Sequence, residues 1–431
     1  MSQEDVSTRK RVAVGDVRLG MYVVGLDRSW LQTPFLFHRK LIQRAEEIEQ
    51  LKKHGIREVE IDTARGVDVN DAIDSQAPQD DAPPASVRGD NSRADAKAHA
   101  SPRPLSAAEL AFQPMVRELE SARTIHAEAL TLAQSVFDGA GRGAPIDNAT
   151  AGRVVSNLQD SITRSPEANL LLMQMRRFQK DLFTHAVNVC VLSLVVATVE
   201  GFDEDLNALG MGALLHDIGE SRLPRSLLHT GSKLTDAEAQ LLKQHPKLGA
   251  ALLAQSENVP PLVERIILEH HERIDGSGYP AGAAGADLCL YSQLVALTDS
   301  YDDMLSGRNQ AAHQPTEVLR QLYLQANSAT VDRDLVEKVI RSLGVYPIGT
   351  VVELNTGERG VVLATNRAAA LKPIVRIIMS RTGVVQFHGP IIGLADTARE
   401  AVERRIVAVL DPGKARIDPM VFLRVGPGAP A

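Results

Sequence analysis

The chain has 431 residues, 44% hydrophobic, 23% charged and only 4% aromatic. This is ordinary soluble-protein make-up for two or three compact units whose cores are filled by aliphatic side chains. A formal net charge of −7 excludes non-specific nucleic-acid binding by bulk charge, so an anionic ligand needs a local group of cations or metals.

Two cysteines, Cys190 and Cys289, lie in apolar stretches read as helical, as buried thiols of a reducing compartment do. The first twenty residues hold no apolar core of a signal peptide. The longest apolar run, Val187 to Val199, is interrupted by Asn188 and reads as too short for a bilayer. The expectation is a cytoplasmic protein with no membrane partner.

Residues 1–64 are expected to form a small α/β unit. Val12, Val14, Val17 and Met21–Val24 suggest short strands, Leu41, Ala45, Ile48 and Leu51 recur at helical spacing before Gly55, and Val59 and Ile61 alternate as in a half-buried strand. Residues 65–104 are rich in Ala, Pro, Asp and Ser, bury too little to offset their ordering entropy, and read as a flexible linker. Residues 105–346 read as almost wholly helical, beginning with long helices near 107–137, 149–163 and 169–179. After Pro347 the pattern changes to period two, with strands expected at 351–354, 360–364, 374–379, 384–387, 406–410 and 421–425. The fold class is therefore multidomain and mainly α: a central helical bundle, a small α/β N-terminal domain and a small β C-terminal domain (347–431).

Six of the twelve histidines fall between positions 185 and 271. His185 follows Asp181 by one helical turn, which places both on one helix face. His216-Asp217 closes an apolar run and is expected at a helix end. His245 is flanked at helical spacing by Leu241, Leu248 and Leu252. His270-His271 lies in a segment running to Gly276–Pro280, and Asp299 is followed one turn later by Asp302. Imidazoles with carboxylates suit iron, manganese, zinc, nickel or cobalt. Any one of these histidines alone reads more readily as structural. Five imidazoles and two carboxylates buried together without a metal would leave costly unpaired groups. Seven ligands are too many for one ion and suit two, bridged by a carboxylate and a water, an arrangement fitted to phosphodiester hydrolysis. His126 and His229 lack such a context and read as surface or cap residues.

The segments H-A-V-N-V (185–189), A-L-L-H-D-I-G (213–219), H-P-K-L-G (245–249), H-H-E-R-I-D-G-S-G-Y-P (270–280) and D-S-Y-D-D-M (299–304) resemble the HD-GYP family of metal-dependent phosphohydrolases, over roughly 181–346. The resemblance implies hydrolysis of cyclic di-GMP to pGpG, with further cleavage to GMP left open, in bacterial second-messenger signalling. It implies a helical bundle holding two divalent ions, iron or manganese, on His185, His216, Asp217, His245, His270, His271 and Asp299, with Asp217 bridging. Asp181 stands where some members place a ligand to a third ion, so a third is left open. The residues before the linker resemble a small domain often found ahead of such modules.

Two departures stand out. Members usually carry a lysine facing the substrate phosphate where this chain has Glu220, and the cation run after Asp299 is reduced to Arg308. A carboxylate beside a doubly anionic ligand replaces attraction by repulsion. The reaction is therefore assigned to Asp217 and Glu220, and substrate contacts to Asp302 and Arg308, with lowered turnover expected from Glu220. The alternative is a slow or inactive domain acting as a cyclic di-GMP sensor or protein-interaction module. Partner proteins would meet the Gly276–Pro280 loop or the flanking domains, a homodimer is left open, and the β domain reads as a docking or stabilising appendage.

Overall fold

The structure, a computed structural model, describes residues 9–26, 40–42, 45–53, 56–63, 107–176, 179, 181–202, 205–228, 234–308, 311–387, 389–396 and 403–423. They fall into two compact units, Met1–Pro104 and Leu105–Ala431. The expected linker, Gly55 and His229 lie outside the described residues.

The N-terminal unit contains β1 (Arg9–Ala13), β2 (Tyr22–Leu26), β3 (Lys40–Leu41), α1 (Ala45–Lys53) and β4 (Glu58–Asp62). They form an antiparallel sheet of order β1-β4-β2-β3, with Val12 opposite Val59 and Val23 opposite Ile61. This alternation sends Val12, Val23, Val59 and Ile61 into one core with Met21, Ile42 and Leu51. Leu41, expected on the helix, instead pairs with Tyr22 in the sheet. Its helical spacing to Ala45 crosses the strand end, and backbone pairing prevails.

The second unit opens with α2 (Ala107–Gly141), α3 (Asn148–Arg164), α4 (Pro166–Arg176), α5 (Leu182–Glu200) and α6 (Leu206–Leu215). A 3₁₀ segment, Ile218–Arg222, follows. Next come α7 (Arg225–Leu228), α8 (Asp236–Leu242), α9 (His245–Leu253), α10 (Pro261–Glu269), α11 (Leu290–Ser306), α12 (Pro315–Asn327) and α13 (Arg333–Leu343). Helix α5 packs against α2, α6 and α11, and its all-round apolar surface is that of a central core helix. By length and composition its 19 residues could cross a membrane, contrary to the expectation from its apolar run, but 78% of that stretch is buried inside the protein.

Close approaches fix the site segments. An added Cβ on Gly219 would stand 1.9 Å from the His245 carbonyl oxygen, so only glycine lets the turn after His216-Asp217 lie against the start of α9. Leu241 belongs to α8 and is exposed, whereas His245 opens α9. Cys190 is buried, which pushes its thiol up to about 12, but Cys289 caps α11 and is only partly covered.

The C-terminal strands are β5 (Val351–Leu354), β6 (Arg359–Ala364), β7 (Ile374–Met379), β8 (Ile391–Gly393) and β9 (Ile406–Leu410). They form one antiparallel sheet of order β8-β7-β6-β5-β9. Two expected strands fail. Residues 384–387 supply only an isolated bridge, Met379 to Val385, and the sheet is completed by β8. Over 421–422 the chain forms α15 (Pro419–Phe422), which follows α14 (Pro412–Ala415), and residues 424–425 of the expected strand lie outside the described residues. There Asp418 caps and Pro419 starts the helix, a start signal that outweighs β-branched composition. Helix α2 packs against β8.

Candidate metal centre

Three ligand candidates repeat one device. His216 and His270 cap the C-termini of α6 and α10, and His245 follows the end of α8 by three residues. In each ring Nδ1–H donates, at 2.8 Å, to the carbonyl three residues back: Ala213, Ile267 and Leu242. Carbonyls in a last helical turn lack intrahelical partners. Because a carbonyl can only accept, each Nδ1 carries a proton and each ring turns its Nε2 inward. His185, on α5, is oriented by a side chain instead: its Nδ1 donates to Asp302 Oδ2 at 2.8 Å, and Asn188 donates to Asp302 Oδ1 at 3.0 Å.

The inward nitrogens surround Asp217. Oδ1 lies 3.3 Å from His245 Nε2 and 3.6 Å from His270 Nε2. Oδ2 lies 3.4 Å from His216 Nε2 and 3.8 Å from His185 Nε2. Asp299 Oδ1 stands 3.1 Å from His185 Nε2 and 3.9 Å from His216 Nε2. His271 packs on the rings of His245 and His270 and stacks on Tyr279 with centroids 4.6 Å apart. The ligand atoms thus group as Asp217–His245–His270–His271 and His185–His216–Asp217, sharing Asp217.

The residues fit metal ions. His245 and His270 bring their Nε2 atoms within 3.2 Å of each other, a pair of nitrogens that one cation can share. The buried Nε2 atoms of His185 and His216 have no hydrogen-bond partner, a costly state unless an ion takes them. A carboxylate behind His185 and carbonyls behind the other three are the partners that metal-ligating imidazoles use.

Electrostatics agree. Burial and Arg308 oppose a proton on His185, but Asp299, Asp302 and Asp303 outweigh them and hold its pKa well above the ordinary value. Burial likewise works against His216, and Asp217 and Asp299 raise it. Burial opposes ionisation of Asp217, yet His216, His270 and Arg308 hold its pKa well below the usual carboxylate range. A field that draws a proton to His185 also draws a divalent cation. On the far side, burial lowers His245 to about 4 and His271 well below normal, leaving neutral rings.

Of the other sequence candidates, Asp181 joins none of the ligand-atom groups found among the described residues. It caps α5, accepting from Thr184 N at 2.8 Å and Thr184 Oγ1 at 3.0 Å. Asp302 is 1% exposed and spends both oxygens on His185 and Asn188, so it orients the His185 ring. His126 is buried, held by Asn169 at 2.9 Å and by Arg176. Arg308, assigned to substrate contact, is nearly buried: it donates to Asp217 Oδ2 at 3.0 Å and to Glu220 Oε2 at 2.5 Å. Burial and Asp217 push Glu220 up to about 7, against the pull of Arg308.

Sequence reasoning missed three participants. Asp303 groups with His185 and Asp299, and its i, i+4 spacing from Asp299 was a usable signal. Glu272 accepts from Ala281 N at 2.7 Å and Gly282 N at 3.2 Å, tying the Gly276–Pro280 loop to the histidine pair. Lys243 lies over the Tyr279 ring, 5.5 Å from its centroid.

Comparison with known proteins extends these findings. Residues 173–335 match the HD domain family, 351–408 a KOW domain associated with the HD domain, and 9–151 a domain of unknown function, DUF3391. A cyclic di-GMP phosphodiesterase of Pseudomonas aeruginosa is 30% identical over 411 residues, covering 94% of this chain and 93% of that one. The cyclic di-GMP phosphodiesterase response regulator RpfG of Xanthomonas campestris is 40% identical over 119 residues, 27% of this chain and 32% of that one. A solved HDG"Y"P protein from Bdellovibrio bacteriovorus is 16% identical with a TM-score of 0.43, covering 77% of this chain and 98% of that one.

Proposed function

This chain belongs to the HD-GYP family of cyclic di-GMP phosphodiesterases, and from that premise we propose that it hydrolyses cyclic di-GMP at a centre of two divalent ions. The observation that carries the reading is the convergence of inward-facing Nε2 atoms on the two oxygens of Asp217. A bound divalent pair supplies an activated water and neutralises charge on the phosphodiester oxygens. Iron or manganese fits the mixed imidazole and carboxylate set. The reaction opens the ring to linear pGpG, and the remaining phosphodiester is cleaved to GMP by the same chemistry.

The chain's own residues divide the work. Asp217 spans both ligand groups, with His185, His216 and Asp299 on one side and His245, His270 and His271 on the other. Asp302 and three helix-end carbonyls fix the rings, so little reorganisation is left to binding. Tyr279 stacks on His271 and Glu272 holds the loop that carries it, which gives the Gly276–Pro280 segment a role in shaping the site. Arg308 is the cation for the substrate phosphate. The sensor alternative rested on Glu220 repelling an anion, and the charge of Glu220 is met by Arg308. We place the protein in the cytoplasm, with α5 as an interior helix.

The test is turnover of cyclic di-GMP by protein loaded with manganese or iron, followed by separation of the products. Metal-dependent appearance of pGpG or GMP is expected. Nucleotide binding without any cleavage would return the site to the sensor reading.

A further inference from the structure

Glu220 and Arg308 lie 88 residues apart in the chain, and both are anchored on segments that carry ligand candidates. Glu220 sits in the 3₁₀ turn after Asp217, where its N–H donates to the Asp217 carbonyl at 2.9 Å. Next to it, Gly219 is pressed on the His245 backbone. Arg308 follows Gly307, whose left-handed conformation (φ 68°) ends α11, the helix of Asp299 and Asp303. Its N–H donates to Ser306 Oγ at 3.2 Å. The side chains then meet, each close to nine-tenths buried, with Arg308 Nη2 on Glu220 at 2.5 Å and Nη1 on Asp217 at 3.0 Å.

Two terminal nitrogens held by two different carboxylates fix the plane of a guanidinium. A lysine ammonium is a point charge that needs no such support, whereas an arginine is a planar fork whose value depends on orientation. The bonds to Glu220 and Asp217, with Asp303 Oδ1 3.8 Å from Nη1, hold the guanidinium in a fixed plane beside the cluster. We propose that Glu220 is a positioning residue for Arg308: the cation that a lysine at 220 would supply comes from the end of α11, and Glu220 aims it at the substrate phosphate. This rests on the phosphodiesterase reading above and reverses the expectation that Glu220 lowers turnover.

The test is a double-mutant cycle of Glu220→Gln, Arg308→Gln and both, with Glu220→Lys and Glu220→Asp alongside, all manganese-loaded and checked for metal content and melting temperature. Each glutamine variant is expected to raise KM about ten- to a hundredfold, the scale of one charge-assisted hydrogen bond, with the double variant no worse than Arg308→Gln. Glu220→Asp recovers part of the loss, and Glu220→Lys lowers kcat/KM because it repels Arg308. A rise in kcat/KM in Glu220→Lys, or losses that multiply in the double variant, overturns the proposal. Calorimetric titration with inorganic phosphate gives a readout independent of turnover: weakened binding in both single variants supports it, and unchanged binding in Glu220→Gln or none in wild type overturns it. A wild type that binds phosphate but leaves cyclic di-GMP intact sinks the phosphodiesterase reading instead.

Discussion

At the metal end of the site each of three histidines takes its orientation from its own segment, through a carbonyl three residues back. At the phosphate end Glu220 and Arg308 orient each other across 88 residues. Locally oriented groups can be altered one at a time and leave their neighbours aimed, whereas a mutually oriented pair fails together. His185 stands between the two cases, since α5 places it but Asp302 on α11 aims it.

The sharpest way to break this contrast is at Gly219, where the two ends share backbone. In Gly219→Ala the new Cβ would stand 1.9 Å from the His245 carbonyl, so the turn must move. We expect a loss of about 3 kcal/mol in unfolding stability, the upper range for overpacking, together with weaker metal uptake. A soluble variant with wild-type melting temperature and metal content would show that the close approach is dispensable.

The intermediate position of His185 predicts a smaller effect. Asp302→Ala leaves every ligand in place yet should weaken metal affinity about ten- to a hundredfold, as loss of a partner behind a ligating histidine does. Titration with manganese measures it, and unchanged affinity would mean that α5 alone aims the ring.

The pH dependence differs between the two ligand groups of Asp217. His185 has a raised pKa, so its stabilisation of the metal-free fold is present below the ordinary histidine value of 6.5 and is lost as pH rises through the folded value. His245, lowered to about 4, acts in the opposite sense: its contribution is present above 6.5 and lost as pH falls toward 4. Metal uptake requires both rings unprotonated, so it should weaken as pH falls, starting above 6.5 through His185. Replacing His185 with Gln should move that onset downward, and an onset that stays fixed would assign it to another group.

The smallest effect is expected at Asp181, which sharpens the boundary of the cluster. As the cap of α5 it should cost about 1 kcal/mol when changed to Ala, with no change in metal content. Loss of an ion in Asp181→Ala would restore it as a ligand.

These contrasts also explain what could be read from the chain. The histidines and Asp217 were legible because helix ends announce themselves by apolar runs that stop, and the device that aims the rings is local. The partners of Asp302 and Arg308 were not legible, because His185, Asn188, Asp217 and Glu220 lie about 90 or more positions away. One sequence pattern cannot distinguish a carboxylate that meets substrate from one that orients a ligand. Asp181 shares a helical spacing with His185 but precedes the helix, where capping claims its oxygens. In the C-terminal sheet, Val384 and Val385 alternate like a strand yet only one residue bridges, while the shorter β8 completes the edge through three pairs. Period-two composition signals a strand without naming its neighbour.

The central claim is that one carboxylate, Asp217, joins two ligand groups into a single two-ion centre. Metal analysis by plasma mass spectrometry of manganese-loaded wild type and Asp217→Ala, each with a native helical circular dichroism signal, tests it most directly. The account predicts about two ions per chain in wild type and close to none in Asp217→Ala, because both groups lose the oxygen they share. A wild type that saturates at one ion, or an Asp217→Ala variant that still holds two, would contradict it.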